Sequence, residues 1–226
     1  MKAAIQQKPQ WPGIALALGL PVLFSLLQTA LHSSVSGYTM VIDQFLSISG
    51  LLLMGLLLFF YIKKVEGKGL SSVGLQRLTF KQTMLAIGLG VYGFLIIMTI
   101  FSIISIKFPE LGPTGPGSPG NHPLYLIIYF TIYPLVYEFM IRAYPIPRLI
   151  DSGLSPGLTL SISVVAYNLL FLDVFPSAFF FGVVLPRSIL LALLFFKNRN
   201  LTQSMIANVF MYAPVFIYQL ISSLVR

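Results

Sequence analysis

The stretch "YEFMIRA", residues 137–143, sets Glu138 and Arg142 four residues apart, on one face of any helix that holds them. A carboxylate can take a proton from water, and a guanidinium can hold an oxyanion, so base or anion chemistry is available. A third ionisable group, Arg187, follows Pro186 inside another apolar run. An unpaired guanidinium in hydrocarbon costs about 3 kcal/mol or more. Glu138 is the acidic residue set well inside an apolar segment, whereas Asp43, Glu66, Glu110, Asp151 and Asp173 lie in loops or at segment ends. Glu138 is therefore expected to pair with Arg187, Arg142 or both. Arg142 lies close enough to the inner surface to snorkel, and Pro186 is expected to kink its helix and free a carbonyl as a further partner. Asn168, Asn208, Gln203 and the hydroxyls of Tyr133, Tyr137, Tyr167 and Tyr212 can line the same interior. For each of these the plain reading is an interhelical hydrogen bond. For Glu138 with Arg187, a structural ion pair and a contact to substrate or ion both stand.

The elements that position these groups follow from composition. The chain has 226 residues, 57% hydrophobic and 9% charged, with a mean hydropathy of +0.89. Soluble domains carry about 25% charged residues, so this is an all-α, polytopic helical bundle in a lipid bilayer. The net charge of +8 is carried by clusters between apolar runs. It reads as topology signals and contacts to anionic lipid, and no nucleic-acid module is present. The absence of cysteine excludes thiol catalysis and disulfides. His32 and His122 have no second ligand at metal spacing, so neither a metal nor a cofactor is expected. The N-terminal apolar run lacks a small-x-small cleavage site and reads as a retained helix.

Runs of about 20 apolar residues predict seven spans, near 12–31, 42–62, 82–106, 124–143, 156–173, 176–196 and 202–224. Residues 1–69 form a two-helix membrane segment and 70–226 the core of one membrane domain. The fifth and sixth spans form a tight hairpin across "DVFP", with Pro176 opening the sixth. Most of the 14 Lys and Arg residues fall on one side if the N-terminus is inside, including Arg142 and Arg148. That bias predicts N-in, C-out, with the basic 63–81 loop on the cytoplasmic-type side. The 63–81 loop is expected to hold an amphipathic piece with Val73, Leu75, Leu78 and Phe80 facing lipid. The Gly- and Pro-rich stretch 112–123 is expected to be irregular and external.

The polar residues also carry a family resemblance. "YEFMIRA" resembles the Glu-Glu-x-x-Phe-Arg-Gly motif of the CAAX-protease and bacteriocin-processing (CPBP, or Abi) membrane proteins, with Tyr137 in place of the first glutamate and Glu138 and Arg142 matching. "SISVVAYNLLFLDVF" is similar to the second motif, with Tyr167 at the Phe position and Phe171 at the histidine position. "FFFGVVLPRS" resembles the following helix, with Gly182 kept and Pro186 replacing a second glycine. "NLTQSMIANVFMYAP" resembles the last helix, with Asn208 at the histidine position and Tyr212 at the asparagine position. "SSVGLQRLTFKQ" is similar to the short amphipathic stretch before that core. The resemblance spans about residues 70–215.

The resemblance implies a CPBP-like core and, in the family, a glutamate and two histidines that activate water for peptide hydrolysis. This sequence departs at each matching position. Tyr137 is not a base near neutral pH, Phe171 has no proton chemistry, and Asn208 does not titrate usefully. Glu138 alone can serve as a base. The expectation is a non-catalytic relative that binds another integral membrane protein as a scaffold subunit or assembly factor. The alternatives are an active intramembrane endopeptidase using Glu138 and, further off, a small transporter or lipid-handling protein using Glu138 and Arg187.

Overall fold

The computed structural model describes residues 11–34, 40–112 and 131–224. Part of the 124–143 span, most of the Gly/Pro-rich stretch, His122 and both chain ends fall outside them. The described elements are helical throughout, with no strand among them. They are α1 (Trp11–Ser34), α2 (Met40–Lys64), a 3-10 turn (Leu70–Val73) and α3 (Phe80–Lys107). Helical residues 131–137 then pass into a π-helical turn (Glu138–Ala143) and α4 (Pro145–Asp151). α5 (Pro156–Leu169) is followed by a second π-helical turn (Phe180–Val184), α6 (Leu185–Asn198) and α7 (Leu201–Leu224).

Local sequence explains several boundaries. Thr79 opens α3 with a capping box: its hydroxyl accepts from the Gln82 N–H at 3.3 Å, and the Gln82 side chain accepts from the Thr79 N–H at 2.9 Å. Ser155 caps α5, with Pro156 in its first turn, where a missing N–H costs nothing. The helix of the sixth predicted span begins at residue 178 rather than at Pro176, with Ser177 as its cap: the Ser177 hydroxyl accepts from the Phe180 N–H at 3.1 Å. Pro186 lies in the first turn of α6, directly after the π-helical turn. The wider turn takes up the irregularity that a proline forces on a continuous helix.

Burial is inverted relative to a water-soluble bundle. Ile106 and Phe80 are 77% and 79% exposed, while Glu138, Arg142, Ser204 and Asn208 are 0% exposed. Apolar surface outside and polar groups inside suit a lipid solvent, where an unsatisfied polar group is costly. Among the described residues, four helical stretches are long and apolar enough to cross a bilayer: Trp11–Gln28, Leu46–Lys64, Phe80–Lys107 and Phe180–Asn198. They coincide with the first, second, third and sixth of the seven crossings expected, and the fourth lies partly outside the described residues. The fifth of those, at 156–173, is instead a helix of 14 residues, or about 21 Å at 1.5 Å per residue. That is short of a hydrocarbon core of about 30 Å.

Helix α3 packs along α7, α1 along α2, and α5 along α6. The α3–α7 approach is set by Gly90 and Gly93. A Cβ on Gly90 would lie 2.6 Å from the Ala207 carbonyl, and one on Gly93 would lie 2.5 Å from the Met211 methyl. Small residues bring helix backbones together in lipid, where dispersion replaces the hydrophobic drive.

The 63–81 loop differs from the lipid-lying piece expected. Val73 is fully buried in the main apolar core. The Gly74 carbonyl accepts from the Leu201 N–H at 2.8 Å, and the Thr202 hydroxyl donates to the Gln76 carbonyl at 2.9 Å. The loop is thus docked on the α6–α7 turn, because those backbone groups need partners and the turn supplies them. Leu75 and Phe80 do remain exposed. Gly74 has a φ of +75°, and a Cβ there would meet the Arg199 carbonyl oxygen at 2.5 Å. Gly74→Ala is expected to cost about 1–3 kcal/mol through left-handed strain and this backbone clash. Thermal unfolding in a neutral detergent checks it, and an unchanged Tm would contradict the docked loop.

Candidate functional site

The intramembrane polar residues converge from three segments. The first π-helical turn supplies Glu138 and Arg142, the start of α6 supplies Arg187 and Ser188, and α7 supplies Ser204 and Asn208. The Arg142 guanidinium donates through Nη1 to Glu138 Oε1, the (i, i+4) pair that the spacing suggests. Arg142 is 0% exposed, so it does not snorkel. Its second terminal nitrogen turns inward, 3.4 Å from the Ser188 carbonyl.

Arg187 reaches Glu138 through an intermediary rather than directly. Its Nε and Nη2 donate to Asn208 Oδ1 at 3.1 and 2.7 Å. The Asn208 amide nitrogen in turn donates to Glu138 Oε1 at 3.0 Å. Asn208 is well suited to this because its amide carries an acceptor at one end and donors at the other. The acceptor for Arg187 is thus a side chain of α7 and not a carbonyl freed by Pro186. Asn168 joins from α5, donating to the Ser188 hydroxyl at 2.8 Å and to the Val164 carbonyl at 2.7 Å.

Aromatic faces complete the surroundings of the cations. The Arg187 guanidinium lies 3.8 Å from the Tyr212 ring centroid and 5.6 Å from that of Tyr167, and Arg142 lies 4.6 Å from Tyr167. Such contacts favour a guanidinium more when water is excluded. The far carboxylate oxygen, Glu138 Oε2, makes no hydrogen bond, nor does the buried Ser204 hydroxyl. The Ser204 hydroxyl nevertheless lies near enough to the Glu138 carboxyl for a small side-chain adjustment to join them in a hydrogen bond.

Beside this network is a cavity of about 70 Å³, lined by Tyr133, Pro134, Tyr137, Tyr167, Phe171, Arg187 and Tyr212. The ring centroids of Tyr133 and Tyr137, Tyr137 and Tyr167, and Tyr167 and Phe171 follow one another at 5.9, 6.4 and 5.2 Å. The structure therefore brings Tyr137, Phe171 and Tyr212 to one cavity wall with Arg187. Asn208 stands behind Arg187, and Glu138 behind Asn208. Gln203 is buried, but its side chain makes no hydrogen bond to the network.

Sequence reasoning passed over Ser188 and Ser204. Both carried a signal, since Ser188 directly follows Arg187 and Ser204 is four residues before Asn208 on the same helix face. It also treated Arg148 as a surface topology charge. Arg148 is 3% exposed and forms a two-pronged ion pair with Glu66, with Nε to Oε1 at 3.1 Å and Nη2 to Oε2 at 2.5 Å. The Tyr144 hydroxyl donates to the same carboxylate.

Chemically, the arrangement sets one carboxyl group between donors and leaves one guanidinium facing a small aromatic cavity. Among the described residues that form the network and line the cavity there is no histidine, cysteine or second carboxylate. In comparisons with protein-family models, curated proteins and solved structures, no match is found for this chain, so its site is read from its own geometry.

Proposed function

We propose that this chain is a catalytically inactive relative of the CPBP intramembrane proteases, acting as a binding or scaffold subunit, or an assembly factor, of a membrane protein complex. The observation that carries this reading is the state of Glu138. It is the acid of the buried network beside the cavity, yet it is fully buried, held by Arg142 and Asn208, and not part of the cavity lining. A base must be within reach of the water it activates, and the cavity wall offers Tyr137 and Phe171 where the resemblance places the activating groups. A fold without its reactive groups does not carry the reaction, but the cavity and the packed core remain as a binding surface.

The topology we infer has seven membrane segments, the fifth a helix too short for a full crossing, with the N-terminus on the cytoplasmic-type side. Its support is that the 63–81 loop, Arg148 and the Lys197–Arg199 turn share one end of the bundle. They are joined there by the Glu66–Arg148 pair and by the Gly74–Leu201 hydrogen bond.

The test has two arms. Purified chain incubated with a peptide library is expected to show no cleavage above a protein-free control. Cleavage that follows the protein peak and disappears in a folded Glu138→Gln variant would make it a peptidase. Purification from the native membrane in mild detergent is expected to bring down a second integral membrane protein in fixed proportion. A chain that always elutes alone would exclude the subunit reading.

A further inference from the structure

The buried network does not balance its charge. Glu138 contributes one negative charge, whereas Arg142 and Arg187 contribute one positive charge each, and all three are within 4% exposure. Among the described residues, the two ion pairs are Glu138–Arg142 and Glu66–Arg148, so Arg187 has no carboxylate in direct contact. A charge in a low-dielectric interior is retained where it has a counter-charge or a task. The Arg187 side chain is both part of this network and part of the cavity wall.

We propose that the cavity is a receptor for the oxyanion head of a single-chain amphiphile, a carboxylate or phosphate group set against Arg187. This rests on reading the cavity as a binding site and not a hydrolytic one, and it names the occupant. Three features fit that ligand. Arg187 is oriented by Asn208 through Nε and Nη2, which fixes the plane of a guanidinium suited to forked recognition of an oxyanion. The volume of about 70 Å³ suits a head group, since a single water needs about 10–15 Å³ by this measure. Apart from Pro134 the rest of the wall is aromatic, and the outer surface of the bundle is apolar, with Ile106, Leu135 and Leu172 exposed. An anion that reaches the cavity from the surrounding lipid is one attached to an apolar tail.

Native mass spectrometry of the full chain from a neutral maltoside detergent tests this, with oleate, neutral monoolein and acetate as probes. The expected result is one oleate per chain, bound at least about tenfold more tightly than monoolein. Arg187→Gln is expected to weaken oleate binding by about tenfold or more, and Arg187→Lys by less. Arg77→Gln, which removes an exposed cation, is expected to change nothing. Arg187→Gln leaves the Glu138–Arg142 pair in place, and a parallel melting curve reports its folding. Equal affinity for oleate and monoolein, or oleate binding retained in Arg187→Gln, overturns the proposal. Acetate binding as tightly as oleate overturns the amphiphile and assigns the site to an aqueous anion. Peptide cleavage would instead overturn the binding-site reading itself, whereas an inert chain that ignores oleate overturns only the ligand.

Discussion

Glu138→Gln is expected to lower the stability of the purified chain by about 3–5 kcal/mol, the cost of stranding a buried charge by removing its partner. The substitution is close to isosteric, so packing changes little and electrostatics dominates. It leaves Arg142 and Arg187 facing one another across the network with no anion between them. It also presents Asn208 with an amide where a carboxylate accepted its N–H. The electrostatic origin can be separated from packing by a second change. Glu138→Gln combined with Arg142→Met removes the pair as a unit and restores the original single positive excess. That double variant is expected to be more stable than Glu138→Gln alone, since replacing both partners costs less than breaking a pair. Thermal unfolding in neutral detergent reads both. A double variant at least as unstable as the sum of its single variants would show that the network is not held by its charges.

The second large effect is at the loop end of the bundle. Glu66→Gln is expected to cost about 3 kcal/mol, because Arg148 then stays buried without its forked partner. The Arg148 guanidinium also lies 3.9 Å from the Tyr144 ring centroid, so the group cannot turn outward without losing that contact. Burial by itself would push the Glu66 carboxyl up. The hydrogen bonds from Arg148 and Tyr144, with the positive charges of Arg148 and Lys68, outweigh it and hold the carboxyl below its ordinary value. The carboxyl therefore ionises more readily in the folded chain than in the unfolded one. Its contribution is complete above the unfolded value of about 4.3 and is lost as pH falls through the lower folded value. The Tm gap between wild type and Glu66→Gln should be widest near neutral pH and close on acidification below about pH 4. A gap independent of pH would remove the ion pair from the account.

The pair at Glu66 and Arg148 and the network at Glu138 illustrate different limits of sequence reading. The Glu138–Arg142 contact is local. Four residues of helix place the two groups together whatever the rest of the chain does, and the cost of charge in lipid makes the pairing close to obligatory. That these groups needed attention was legible for the same reason, since six acids in an apolar chain leave few candidates. The position of Arg187 was informative too, but its partner was not. A guanidinium near several polar side chains can reach any of them, and the choice of Asn208 over Glu138 itself depends on how α6 and α7 approach.

Glu66 and Arg148 are 82 residues apart, and no periodicity connects them. Each looked like a residue at a water-facing boundary. Val73 was misread for a related reason. Alternating apolar residues in a basic loop suit a lipid surface and a buried turn equally well, and only the docked Gly74 backbone distinguishes them.

By itself, then, the sequence determined that the chain is a helical membrane bundle, because hydropathy and helix length are local and the bilayer penalises every unpaired backbone group. It also singled out Glu138, Arg187, Asn168 and Asn208 as polar groups of the bundle interior. The tertiary structure decided the partners: Asn208 as the bridge, Ser188 and Ser204 as members, and Tyr137, Phe171 and Tyr212 on one cavity wall with Arg187. Those relations arise from helix crossings set by contacts distant in sequence, among them Gly90 against Ala207. A one-residue change in where two helices touch would assign different partners to the same side chains.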